Sequence, residues 1–152
     1  MNYENLLIEA ENNGTIVKEA DLISKDGLCK GNRIAINKKL ITDAEKRCVL
    51  IEELGHYYKT VGDITDQTKV ENRKQEIIAR RWGYERLIGI VDLVNAHNHG
   101  CINRYEVAEF LNVTEEFLDE ALEYYKCKYP CYCEIDNYYI IFTKGLEVIK
   151  KF

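Results

Sequence analysis

Residues 50–59 read LIEELGHYYK, and how Glu52, Glu53 and His56 are understood decides the fold. On a helix, residues four apart differ in direction by about 40°, so the side chains of Glu52 and His56 can reach one ion. Glu53 lies about 100° around the helix from Glu52, beside such an ion, where a carboxylate can hold and deprotonate a water. The string is one residue away from H-E-x-x-H, in which two imidazoles one turn apart bind zinc. Here a glutamate stands first. A carboxylate oxygen binds zinc at about 2.0–2.2 Å, much like an imidazole nitrogen, so the exchange does not forbid a metal. It does change the charge. Two anionic ligands and one neutral imidazole cancel the ion's double charge, which calls for lower activity at neutral pH or for a partner that completes the site.

The sequence bounds this helix itself. Thr42, Asp43, Ala44 and Glu45 match a capping box, in which the glutamate reaches back to the cap's N–H. The pattern predicts a helix from there to about Thr60, stopping at Gly62, with Val49, Leu50, Glu53, Leu54 and Tyr57 near one face. Gly55 leaves room on it for another backbone or a substrate. A second long helix is expected from about Glu71 to Val94, after the polar connection VGDITDQTKVEN. Glu76 on that helix is the best candidate for a third ligand, and Arg80, one turn later, could orient it. Asp63 and Asp66 in the connection are rivals suited to oxygen coordination. A plainer reading of the same residues is a charged surface helix that needs no metal.

Further out, Asn2 to Asn13 has amphipathic helix spacing, and Asp26-Gly27 and Gly31-Asn32 punctuate short apolar runs as hairpin connections do. Arg33 to Asn37 alternates as a strand with one buried face. NAHNHGC reads as a loop that could separate two subdomains. Beyond it, two helices are expected at Arg104–Phe110 and Thr114–Lys126. A hairpin of Tyr132–Ile135 and Tyr138–Thr143 follows, turning at Asp136-Asn137, and then a short C-terminal helix.

A chain of 152 residues can bury about 70% of its unfolded surface without staples. With 31% charged and 46% hydrophobic residues it reads as soluble and globular. No signal-peptide core or membrane span is evident, so a cytoplasmic location is expected, with the six cysteines as free thiols. The net charge of −5 is unevenly spread. Residues 103–126 hold seven acidic and two basic side chains, whereas residues 69–86 hold six basic and three acidic. The helix pair at 104–126 has the length of a helix-turn-helix, but Glu115, Glu116, Asp119, Glu120 and Glu123 would face a phosphate lattice that attracts the opposite sign. Direct nucleic-acid binding is therefore not expected, and a basic protein surface suits these residues better. His97, His99 and Cys101, with Cys127, Cys131 and Cys133, match no common zinc knuckle and read as loop histidines and packed thiols. Tyr57 or Tyr84 could stabilise an oxyanion.

The stretches CVLIEELGHYYKTVGDITDQT and NRKQEIIARRWGYERLI resemble the ImmA/IrrE family of metallo-endopeptidases, in the short form found beside phage and mobile-element repressors. The likeness runs over nearly the whole chain, and that form includes variants with EELGH in place of HELGH. The resemblance implies an α+β, mainly helical fold with zincin-like active-site helices, a small edge sheet, and a C-terminal helical lobe with a hairpin. It implies one metallopeptidase-like domain, with a core over residues 1–94 and the lobe over 95–152. It carries over His56 and Glu76 as Zn2+ ligands, Glu52 in the first ligand's place and Glu53 as general base. Arg33–Asn37 becomes the edge strand that pairs with an extended substrate. The implied substrate is a helix-turn-helix repressor. The alternative is a weak or inactive relative that binds and sequesters such a repressor.

Overall fold

The computed structural model describes residues 1–60 and 66–152. Gly62, expected to stop the motif helix, and Asp63 lie outside the described residues. The fold is α+β and mainly helical, in two compact units, Met1–Gly83 and Tyr84–Phe152.

The first unit opens with α1 (Tyr3–Asn12), capped by the Asn2 side chain, and continues through β1 (Ile16–Ala20), β2 (Gly27–Lys30) and β3 (Arg33–Asn37). These strands form one sheet in the order β1-β3-β2, with β1 parallel and β2 antiparallel to β3. Arg33–Asn37 is thus the central strand, not an edge. β1 claims one side of it and β2 the other, so the edge available to a ligand belongs to β1 or β2. Beyond β3, α2 (Asp43–Lys59) carries the motif. Thr42 Oγ1 accepts from the Glu45 N–H at 3.1 Å and Glu45 Oε2 accepts from the Thr42 N–H at 3.0 Å, the reciprocal cap expected from the sequence. Leu50, Ile51 and Leu54 of α2 share a core with Leu6, Ala10, Ile34, Ile36 and Ala79, each at most 3% exposed. A buried Leu or Ile of this kind contributes about 1.5–3 kcal/mol.

α3 (Val70–Leu87) presents small and polar residues inward: Asn72, Ala79 and Gly83 are buried, whereas Ile77 and Ile78 are about half exposed. The reason lies in how closely α2 and α3 approach. A Cβ on Gly55 would stand 2.5 Å from the Ala79 carbonyl oxygen, and one on Gly83 would stand 3.5 Å from Ile51 Cγ2. Bulky side chains on this seam would hold the backbones apart.

The second long helix is shorter than its pattern predicts. α3 ends at Leu87, and α4 (Ile90–Asn98) starts afresh from Gly89, whose extended backbone (ψ 160°) breaks the helix. Asp92 Oδ2 accepts from the Gly89 N–H at 2.8 Å and caps the new start. Residues 95–98, expected in a loop, extend α4 instead.

The second unit continues with α5 (Arg104–Leu111) and α6 (Glu115–Lys128), close to their predicted bounds. Asn112 turns between them in the left-handed region (φ 55°), and Thr114 caps α6. Strands β4 (Cys133–Ile135), β5 (Tyr138–Ile141) and β6 (Glu147–Lys150) form an antiparallel sheet. The expected C-terminal helix is therefore a strand, held by pairing of Tyr139 with Ile149 and Ile140 with Val148. Tyr125, buried among aromatic rings, donates its hydroxyl to the Ile88 carbonyl.

Candidate metal centre

Glu52 and His56 project from adjacent turns of α2, and Glu76 comes from the second turn of α3. One ligand atom from each lies within 4.8 Å of the others, so the three could hold a metal ion. His56 Nε2 is 3.4 Å from Glu76 Oε2. The other Glu76 oxygen, Oε1, accepts from Arg80 Nε at 2.8 Å, and Arg80 Nη2 stands 3.6 Å from Glu52 Oε1. The two oxygens of Glu76 are thus divided, one towards the imidazole and one towards the guanidinium. Burial pushes the His56 imidazole below its usual range, with Glu76 opposing, which favours the neutral ring that binds metals. An imidazole nitrogen and two carboxylate oxygens are a donor set that zinc accepts.

Glu53 faces the core side of the same helix and is 9% exposed. Burial first, then the carboxylates of Glu52 and Glu76, push its carboxyl up to about 8, against the pull of Lys25.

Strand β2 lies directly over Glu53. A Cβ on Gly27 would stand 2.7 Å from Glu53 Oε1 and 2.7 Å from Val49 Cγ1, so glycine alone lets strand and carboxylate meet. The approach is fixed by buried Asn37, whose Nδ2 donates to the Leu22 and Lys25 carbonyls at 2.9 and 2.8 Å and ties down the chain entering β2. Lys25 and Gly27 to Lys30 form one wall of a cleft of about 1160 Å³, whose other wall includes Glu52, Glu53, His56, Tyr57 and Glu76. β2 is an edge of its sheet, so one side of it carries backbone groups that the sheet does not use, and its residues line this cleft. The family resemblance puts the edge strand at Arg33–Asn37, which is the central strand here; the sequence signal for β2 is Gly27 in a short strand, where a backbone comes close to another group.

Other expected participants lie elsewhere. Asp66 turns its carboxylate to the N–H and hydroxyl of Thr68 and is not in the three-residue group. Tyr84 belongs to the second unit and donates its hydroxyl to Glu120 at 2.8 Å. His99 lies against the Phe110 ring at a tilt, and all six cysteines are free thiols. No second group of metal-ligating side chains occurs among the described residues.

Two side chains one helical turn apart, with a buried carboxylate between them and a carboxylate from the next helix within reach, make a group that could hold a metal ion. The chain belongs to peptidase family M78, the IrrE N-terminal-like domain, whose match spans residues 2–123. No curated protein and no solved structure matches the chain. None of the described helices is long and apolar enough to cross a membrane.

Proposed function

We propose that this protein is a zinc-dependent endopeptidase that cleaves a helix-turn-helix repressor of a phage or mobile element. The observation that carries the catalytic part is the meeting of Glu52, His56 and Glu76 at a cleft that the buried Glu53 also lines. Zinc held by these three side chains would supply Lewis acidity towards the scissile carbonyl and the attacking water. Glu53 takes the proton of that water and hands it to the leaving amine. The edge of β2 binds the substrate as an added strand, reading backbone N–H and C=O groups over the wall opposite Glu53. Tyr57, which lines the cleft together with His56, stabilises the oxyanion.

The repressor assignment draws on the acidic stretch at 103–126, which suits a partner with a basic, DNA-reading face. Cleavage of a repressor encoded beside this gene, followed by gel electrophoresis with and without a chelator, tests the reading. Glu53→Gln should keep one zinc per chain and cut by less than about one part in a hundred of the original rate. A fully active variant removes Glu53 from the role. A second reading is a protein of the same fold that sequesters the repressor without cutting it. It is favoured by Arg80, whose guanidinium already lies at ion-pair distance from both carboxylates of the group. Zinc content of the purified chain separates the two.

A further inference from the structure

Glu52 puts a negative charge where the H-E-x-x-H pattern has a neutral ring, and Arg80 meets that charge. Arg80 sits one turn after Glu76 on α3, yet its guanidinium spans to α2, with Nε 2.8 Å from Glu76 Oε1 and Nη2 3.6 Å from Glu52 Oε1. Consider the charges that a divalent ion would meet. Two imidazoles and one glutamate leave a net single positive charge on the loaded site. Glu52, His56 and Glu76 leave none, and Arg80 restores one.

We propose that Arg80 is the compensating partner of Glu52: it returns to the site the positive charge that a carboxylate in the first ligand position removes, and it fixes which oxygen Glu76 turns towards His56. Arg80 is in this sense a positioning residue, since it acts through the two carboxylates. The inference rests on the metallopeptidase reading above. The charge that Glu52 removes is thus returned from within the chain, on the helix that carries Glu76, and not by a partner.

The consequence is that histidine at position 52 is no repair. Imidazole is ordinarily the better zinc donor, so an uncompensated site should bind zinc more tightly after Glu52→His. With Arg80 in place, the same change removes one of the two carboxylates that its guanidinium meets, so ion and guanidinium face each other across a site with one negative charge fewer, and repulsion between like charges at short range opposes loading.

The experiment measures zinc affinity of the full-length chain by competition with a chromophoric chelator, for the natural protein, E52H, R80Q, R80K and the E52H/R80Q pair. Thermal melting followed by circular dichroism checks that each is folded, which the roughly half-exposed Arg80 side chain favours. E52H alone should weaken zinc binding by about tenfold or more, and adding R80Q should recover that loss. R80K, which keeps the charge, should stay near the natural protein. If Arg80 only props Glu76 in place, R80Q weakens zinc further in the E52H background, and that sign overturns the proposal. It is overturned equally by an E52H protein that binds zinc more tightly than the natural one. A natural protein that takes up no zinc is a different failure: it removes the metallopeptidase reading itself, and the role of Arg80 with it.

Discussion

Glu53 is the residue on which most of the chemistry turns, and its environment makes a claim that needs no substrate. In the metal-free protein its carboxyl is pushed up to about 8, chiefly by burial, whereas in an unfolded chain it ionises near pH 4.3. Between those values the folded state holds a proton that the unfolded state has released. The stability contributed by the neutral carboxyl is therefore fully present below about pH 4.3 and is lost as the pH rises through about 8. Glu53→Gln, permanently neutral, should remove that slope. Urea unfolding of the chelated protein at pH 5, 7 and 9 measures it: the variant should gain on the natural protein as pH rises, by an amount on the order of a few kcal/mol at the top of the range. Parallel pH profiles would mean that Glu53 is ionised and solvated in the fold. Much of this site is readable at the level of single residues, because Glu52, Glu53 and His56 lie within two turns of one helix and helical geometry alone relates them. The reach of Arg80 to Glu52 and the meeting of Gly27 with Glu53 are not readable in that way. Both depend on how closely two separate elements pack.

At the level of elements, the seam between α2 and α3 sets where Glu76 stands relative to His56, and two glycines test it in opposite senses. In Gly55→Ala the new Cβ would stand 2.5 Å from the Ala79 carbonyl oxygen, a backbone atom that cannot turn aside. The helices must separate, costing about 1–3 kcal/mol, and zinc affinity should fall with the displacement of Glu76. In Gly83→Ala the Cβ would meet Ile51 Cγ2 at 3.5 Å, an ordinary contact, and the helix gains alanine in place of glycine. That variant should be neutral or stabilised by up to about 1 kcal/mol, with zinc affinity unchanged. Thermal melts and zinc titrations of the pair check this, and equal effects would show that Gly55 is not the spacer. The same seam explains what could be read at this scale. α2 is legible because its cap, its apolar face and its length agree. α3 is legible as a helix, but its buried side is not: Ile77 and Ile78 are half exposed while Ala79 and Gly83 face inward, since close packing selects small residues over apolar ones. The break at Gly89 escapes a periodicity reading because one glycine within a helical pattern costs only about 1 kcal/mol, so its neighbours and the cap from Asp92 decide. The ending GLEVIKKF is too short for its period to separate helix from strand, and β6 exists because β5 offers it an edge.

Over the whole molecule the charge is divided between segments, and the division bears on how a repressor would be captured. Within the acidic segment, some charge is already answered: Arg104 pairs with Asp119 and Glu115, and Tyr84 donates to Glu120. Reversing Asp119 would disturb the packing of α5 against α6 as well as any docking, so it is a poor probe. Glu116 and Glu123 are exposed, on the surface of α6, and their reversal changes the field with little effect on the fold. If the proposed repressor is steered by this charge, its association rate with the natural protein should fall steeply as salt rises from low to physiological concentration, because the Debye length shrinks to about 8 Å. The E116K/E123K protein should bind about tenfold more slowly at low salt and show a much flatter salt dependence. Cleavage of a short unstructured peptide spanning the cut site should be unaffected in the same variant, since such a peptide needs only the cleft and the edge of β2. Stopped-flow association together with that peptide assay separates docking from chemistry. A variant that retains the natural rate and salt dependence would place repressor capture on another surface, while loss of peptide cleavage as well would mean that the substitutions had reached the active site through the fold.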